Sequence, residues 1–283
     1  MQGRDYLKTA FVKAAGACGV YGLAPEPFPL RHKIYDIVSP KWPSTHAPLR
    51  MAVAADLHVG CKSVTLAKVE EIVGRLNDLG ADMILLPGDF LVSDSIQGRH
   101  IKPEPIAERL AELKAKYGVY AVLGNHDWYE DGQGLWRELE RRHIRVLEND
   151  AVKVARPDLP GQDVWVAGLA DDTTRKPCLK TTFSRVTTDD PVVLMCHDPG
   201  TFLDVDERPV VTVCGHTHGG QMMFPGRKRL QKLPGRAPWA YAYGHIREGG
   251  RDLVVSSGIG TSSLPLRFNC PAEFVSLTLR SPV

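Results

Sequence analysis

A chain of 283 residues can bury a sizeable core as one large domain or two small ones. Its apolar share of 43% and charged share of 24% are those of a soluble globular protein. A net charge of +2 supplies no strong field for nucleic acid or membrane, and the dense basic stripe of a sequence-specific DNA binder is missing.

The chain opens on a mostly small or apolar stretch, Thr9 to Ala24, interrupted by Lys13 and too short to span a bilayer. Gly3-Arg4-Asp5-Tyr6-Leu7-Lys8 resembles a twin-arginine export motif whose first arginine is glycine, and no A-x-A cleavage site follows. Two readings stand for this start. One is a decayed export signal or a helix on the membrane surface; the other is an ordinary N-terminal extension. The expected location is cytoplasmic or peripheral on the inner membrane. Pro25 to Ala47 holds five prolines and reads as an extended connector able to pair at a sheet edge. The division expected is therefore residues 1–48 as N-terminal segment and connector, then 49–283 as one domain.

From Leu49 onward, strands and helices alternate. Met51–Ala55, Met83–Leu86 and Val119–Leu123 are short apolar runs suited to strands buried on both faces. Val69, Ile72, Val73, Leu76 and Leu79 share one helical face, closed by Gly80. Ile106, Leu110 and Leu113 mark a second helix; Leu135, Trp136 and Leu139 mark a third. Strands follow at Val164–Gly168, Val192–Met195, Val210–Val213, Leu253–Val255 and Phe274–Thr278. This order predicts an α/β sandwich with mixed sheets. Cys18, Cys61, Cys178, Cys196, Cys214 and Cys270 form no C-x-x-C pair and read as reduced thiols.

Metal-competent residues follow the strands. They are Asp56-Leu57-His58, Gly88-Asp89, Gly124-Asn125-His126-Asp127, His197-Asp198 and Gly215-His216-Thr217-His218. Ligands of α/β sheets bind beyond the carboxyl ends of strands, so the five blocks should converge. One D-x-H is commonplace, and a lone histidine after a strand is more often a hydrogen-bonded structural residue. Acids and imidazoles on five strand ends are costly together unless a shared cation satisfies them.

In this order, D-x-H, G-D, G-N-H-D, H and G-H-x-H, the blocks resemble the calcineurin-like metallophosphoesterase superfamily. The resemblance implies a four-layer α/β/β/α sandwich with two mixed β-sheets flanked by helices. It also implies two divalent metal ions joined by a bridging hydroxide. Asp56, His58 and His218 would hold one ion, Asn125, His197 and His216 the other, and Asp89 would bridge. His126 would stand beside the phosphate and protonate the leaving oxygen, a role open to an imidazole at working pH. Asp127 could orient that imidazole or cap the loop. An oxygen and nitrogen donor set without thiolate suits manganese first, then iron or zinc. Two cations roughly 4 Å apart need a shared carboxylate, and they bring a bound water towards neutral pKa.

Three features are similar to the bacterial envelope-associated branch, which includes wall phosphodiesterases and UDP-2,3-diacylglucosamine pyrophosphatases of lipid A synthesis. They are Gly215–Gln221; Tyr243-Gly-His245 with Leu253–Gly260 and Leu264–Phe268; and the export-like start before the prolines. That branch implies a phosphodiester or pyrophosphate substrate, lipid-linked in some members, and a membrane surface as partner. Met222-Met223-Phe224, the basic residues from Arg227 to Arg236, and Trp239, Tyr241 and Tyr243 could dock on an anionic surface or form a solvated loop. Arg267 is a candidate phosphate clamp or a surface ion pair, and Gly219 and Gly220 let backbone approach the substrate. A nuclease or cyclic-nucleotide phosphodiesterase is compatible with the same metal chemistry, and a non-catalytic scaffold with the same fold.

Overall fold

The computed structural model describes residues 20–21, 30–93, 98–223 and 233–282. In chain order the strands are β1 (Val20–Tyr21), β2 (Arg31–Val38), β3 (Leu49–Val53), β4 (Met83–Leu86), β5 (Val119–Ala121), β6 (Ile144–Val146) and β7 (Asp150–Val154). They continue with β8 (Val164–Gly168), β9 (Val192–Met195), β10 (Pro209–Cys214), β11 (Gly244–Glu248), β12 (Arg251–Val255), β13 (Arg267–Phe268) and β14 (Glu273–Arg280). The α-helices are α1 (Leu66–Asp78), α2 (Pro103–Leu110), α3 (Asn125–Glu130), α4 (Gly132–Glu140) and α5 (Leu179–Ser184).

Two six-stranded mixed sheets face each other. The first runs β2-β14-β3-β4-β5-β6 and the second β11-β12-β10-β9-β8-β7. In each, four consecutive strands are parallel: β3, β4, β5 and β6 in one, β12, β10, β9 and β8 in the other. These are the apolar runs of the sequence. Met83–Leu86 and Val192–Met195 are buried at every residue, as parallel strands covered on both faces must be. The space between the sheets is filled by Met51, Val53, Leu85, Val166, Val193, Val213 and their neighbours.

Helices close the outer faces, giving four layers. Val69, Ile72, Val73 and Leu76 turn one side of α1 onto the first sheet, with Ile106 and Leu110 of α2 and Leu135 and Leu139 of α4 beside them. Thr65 caps α1 by accepting from Lys68 N, and Gly80 at φ 55 ends it. The second sheet carries a thinner cover, α5 and 3-10 turns at Pro199–Leu203 and Trp239–Tyr241, whose Phe202 and Tyr241 share a cluster with Trp165 and Leu194.

The proline-rich stretch before Leu49 supplies β2, which pairs in parallel with the full length of β14 at the sheet edge. Ile37 and Trp42 from this region are buried between the sheets. Among the described residues no helix is long and apolar enough to cross a membrane. The export-like motif at Gly3 to Lys8, and Phe224 to Lys232 of the basic segment, lie outside the described residues. Cys61, Cys196, Cys214 and Cys270 are buried free thiols, and Cys178 is a half-buried one.

Candidate metal centre

Parallel strands in both sheets end at one rim, and each motif lies at the end of one of them. Asp56 and His58 follow β3, Asp89 follows β4, Asn125 follows β5, His197 follows β9, and His216 and His218 follow β10. The chain must turn at once after each strand while its side chains point back to a common centre. Asp56, His58, Asp89, His216 and His218 do so with left-handed backbones, at φ values of 52, 43, 56, 69 and 51. Each such residue costs on the order of 1–2 kcal/mol, a strain that accumulates at functional sites.

Donor atoms gather in two main triplets, Asp56–His58–His218 and Asp89–His197–His216, each within 4.8 Å and buried. One oxygen, Asp89 Oδ2, lies 3.5 Å from His58 Nε2 and 3.1 Å from His197 Nε2. Ring nitrogens face each other at 3.1 Å twice, His58 Nε2 with His218 Nε2 and His197 Nε2 with His216 Nδ1. Two neutral acceptor nitrogens repel at that distance unless a proton or a cation lies between them. Asp56 Oδ2, Asn125 Oδ1 and His216 Nε2 are buried without a hydrogen-bond partner. A cation would satisfy the oxygens, so the donors present fit divalent metal.

The backbone prepares the imidazoles. His58 Nδ1 lies 3.2 Å from Leu91 O, and His197 Nδ1 lies 2.8 Å from Pro87 O. With Nδ1–H donated to a carbonyl, each Nε2 is left as a free lone pair. Burial brings His58 and His216 down to about 3 and holds His218 well below its ordinary value, with the charges of His58 and Arg267 adding. Burial also pushes the Asp56 carboxyl up to about 7. Burial alone would raise Asp89, but His197 and then His58 hold it well below the carboxylate range. His197 is correspondingly raised, because Asp89 outweighs its burial.

His126 stands differently. It is half-buried and forms a further triplet with His58 and Asp89, yet both its nitrogens have hydroxyl partners. Nδ1 meets Ser93 Oγ, and Nε2 lies 3.3 Å from Ser262 Oγ. These serines were not legible as site residues, since neither sits in a motif. Asp127 is turned to the backbone. Its oxygens accept from the amides of Asp89 (2.9 Å), Phe90 (2.8 Å), Leu91 (2.9 Å) and Gly124 (2.9 Å), and His126 is not among its hydrogen-bond partners. Burial, then the Asp89 charge, pushes this carboxyl up to about 7 against those amides.

Arg267 is buried, at 1% exposure, behind His218. Its Nε donates to Gly260 O at 2.9 Å, and its Nη2 lies 3.1 Å from His218 Nδ1. A cavity of about 600 Å³ opens over the centre and does not have Arg267 in its lining. Its lining includes Asp89, Asn125, His126, His216 and His218, together with the apolar Met222, Leu233, Pro234, Trp239 and Leu264. Gly219 and Gly220 continue from His218 at φ 62 and 82. Of the basic and aromatic segment, Arg236 is paired with Asp172 at 2.7 Å and with Asp204, and Tyr241 is buried.

The profile of the calcineurin-like phosphoesterases matches residues 49–220. A zebrafish (Danio rerio) transmembrane protein with metallophosphoesterase domain is 28% identical over 92% of this chain, which spans 60% of that protein. The uncharacterized metallophosphoesterase YkuE of Bacillus subtilis is 28% identical, with 99% of this chain and 98% of YkuE covered. YkoQ, another uncharacterized metallophosphoesterase of that organism, is 31% identical over 77% of this chain and 79% of its own length.

Proposed function

The chain belongs to the calcineurin-like phosphoesterase family, metal-dependent hydrolases of phosphoric esters, and from that premise we propose that it hydrolyses a phosphodiester or pyrophosphate with two divalent cations. In this reading Asp56, His58 and His218 would hold one cation, Asn125, His197 and His216 would hold the other, and Asp89 would serve both. The observation that carries it is the position of Asp89 Oδ2, between the two donor sets at 3.5 and 3.1 Å from their histidines. Manganese is the first candidate for such oxygen and nitrogen donors. When bound, the pair supplies a water activated near neutral pH and offsets charge on the phosphoryl oxygens.

The chain's own residues do the rest. His126 lines the cavity and gives a proton to the leaving oxygen, while Ser93 at Nδ1 and Ser262 at Nε2 hold the ring. Asp127 ties the Asp89 and Gly124 turns together. Arg267, anchored on the Gly260 carbonyl, meets His218 Nδ1 directly at 3.1 Å, and its charge adds to burial and the His58 charge in keeping that imidazole neutral. The apolar lining residues Met222, Leu233, Trp239 and Leu264 support a substrate with an apolar portion, and so an envelope or lipid-linked class. The test is hydrolysis of bis(p-nitrophenyl) phosphate by the full chain with manganese. Activity should vanish on chelation and return with the metal. A metal-loaded protein inert to this ester and to pyrophosphate esters would contradict the proposal.

A further inference from the structure

A second cavity, of about 360 Å³, lies against the first. The wall between them is thin. Gly219 and Met223 line the second cavity, Gly220 and Met222 the first, and Trp239 lines both. A Cβ at Gly220 would come within 3.0 Å of the Trp239 ring and 2.9 Å of Met223 Sδ, so the partition is one backbone segment and one indole thick.

The mouth of this cavity is cationic. Arg31 and Lys33, at the start of β2, are exposed and line it. Neither is within ion-pair distance of a described carboxylate; the Lys33 charge acts on Glu273 from farther off, and Lys33 Nζ sits 5.4 Å over the Tyr35 ring. His32 adds no lasting charge, since burial lowers it and its ring stacks on Phe274 at 4.8 Å. The acid in the floor is already engaged. Glu273, 2% exposed, accepts from Tyr243 OH at 2.8 Å and from Ser257 N at 3.2 Å. Trp239, Met223 and Pro271 make the throat apolar.

We infer that this cavity is a subsite for a second anionic group of the substrate, carried on an extension that passes Trp239 from the scissile ester. The inference rests on the phosphodiesterase reading and deepens it. It gives the substrate two anionic groups separated by an apolar or aromatic portion, with Arg31 and Lys33 as specificity residues.

The test uses the manganese-loaded full chain and two chromogenic esters, thymidine 5'-(p-nitrophenyl phosphate) and the same compound bearing a 3'-phosphate. The ratio of their kcat/KM values isolates the second anion. The native protein should favour the 3'-phosphorylated ester, and added salt should erode that preference. In Arg31→Glu with Lys33→Glu the ratio should fall at least about tenfold, since the charge-assisted contacts of both residues are lost. Lys33→Gln should lower it by less, and the salt series on the native protein needs no variant to fold. A native ratio near one, or a ratio that survives the double substitution, overturns the subsite alone. Release of nitrophenol from neither ester overturns the catalytic reading, and the subsite with it.

Discussion

Asp127→Ala separates a brace from a catalytic partner. Its two oxygens take four buried amides, those of Asp89, Phe90, Leu91 and Gly124, at 2.8 to 2.9 Å. Alanine leaves all four donors without an acceptor in a region where Asp127 is 0% exposed. Taking about 1 kcal/mol for each unsatisfied amide, the low end of the range, the metal-free protein should lose about 4 kcal/mol. With a urea dependence of about 3 kcal/mol per molar, the midpoint falls by about 1.3 M. The assay is urea unfolding of chelator-treated protein, followed by circular dichroism at about pH 8, above the value of about 7 to which Asp127 is pushed. An aspartate that served only to orient His126 would lower turnover and leave this midpoint in place. A midpoint within about 0.3 M of the native value, equivalent to about 1 kcal/mol, would refute the brace.

Three further outcomes follow from the same geometry. His126→Ala should lower turnover by about 10²–10⁴ on an ester with an alkoxide leaving group, and by less on a nitrophenyl ester, which needs no proton. Its metal content should stay unchanged; loss of metal would make His126 a ligand. Gly258→Ala places a Cβ 2.7 Å from Asp56 Cβ and 2.8 Å from Asp56 Oδ2, at φ +73. It should displace that ligand and cost a bound metal by elemental analysis, and full occupancy would contradict the role given to Asp56. Metal affinity should depend on pH, because a cation must displace the proton of Asp56, whose carboxyl is raised to about 7. The ionised form accepts metal, so affinity is full above this value and weakens about tenfold per pH unit below it. Calorimetric titration with manganese checks this, and a flat affinity from about pH 6 to pH 8 would contradict it.

The parts of the fold that were legible are those buried on both faces. Met83–Leu86, Val164–Gly168 and Val192–Met195 announce themselves as apolar runs, and their strands match residue for residue. Edge and half-exposed elements carry no such mark. β2, Arg31–Val38, is exposed over its first four residues and follows prolines, so its sequence lacks the alternation of a covered strand. The six residues of α3, Asn125–Glu130, have no apolar period, because its buried positions are Asn125 and Asp127. The site divides in the same way. Its acids and histidines stand out in short motifs at strand ends. Ser93 and Ser262 reach His126 from distant loops, and Arg267 turns its guanidinium to Gly260 and His218. Such contacts depend on where the chain returns in space, and local spacing does not encode that.

The central claim is a paired metal centre shared through Asp89. The most direct measurement is the manganese content of the reconstituted full chain together with its electron paramagnetic resonance spectrum. Two manganese ions per chain, with the exchange-coupled signal of a bridged pair that Asp89→Ala abolishes, is the predicted result. A single ion per chain in fully active protein, or two ions without coupling, would contradict it.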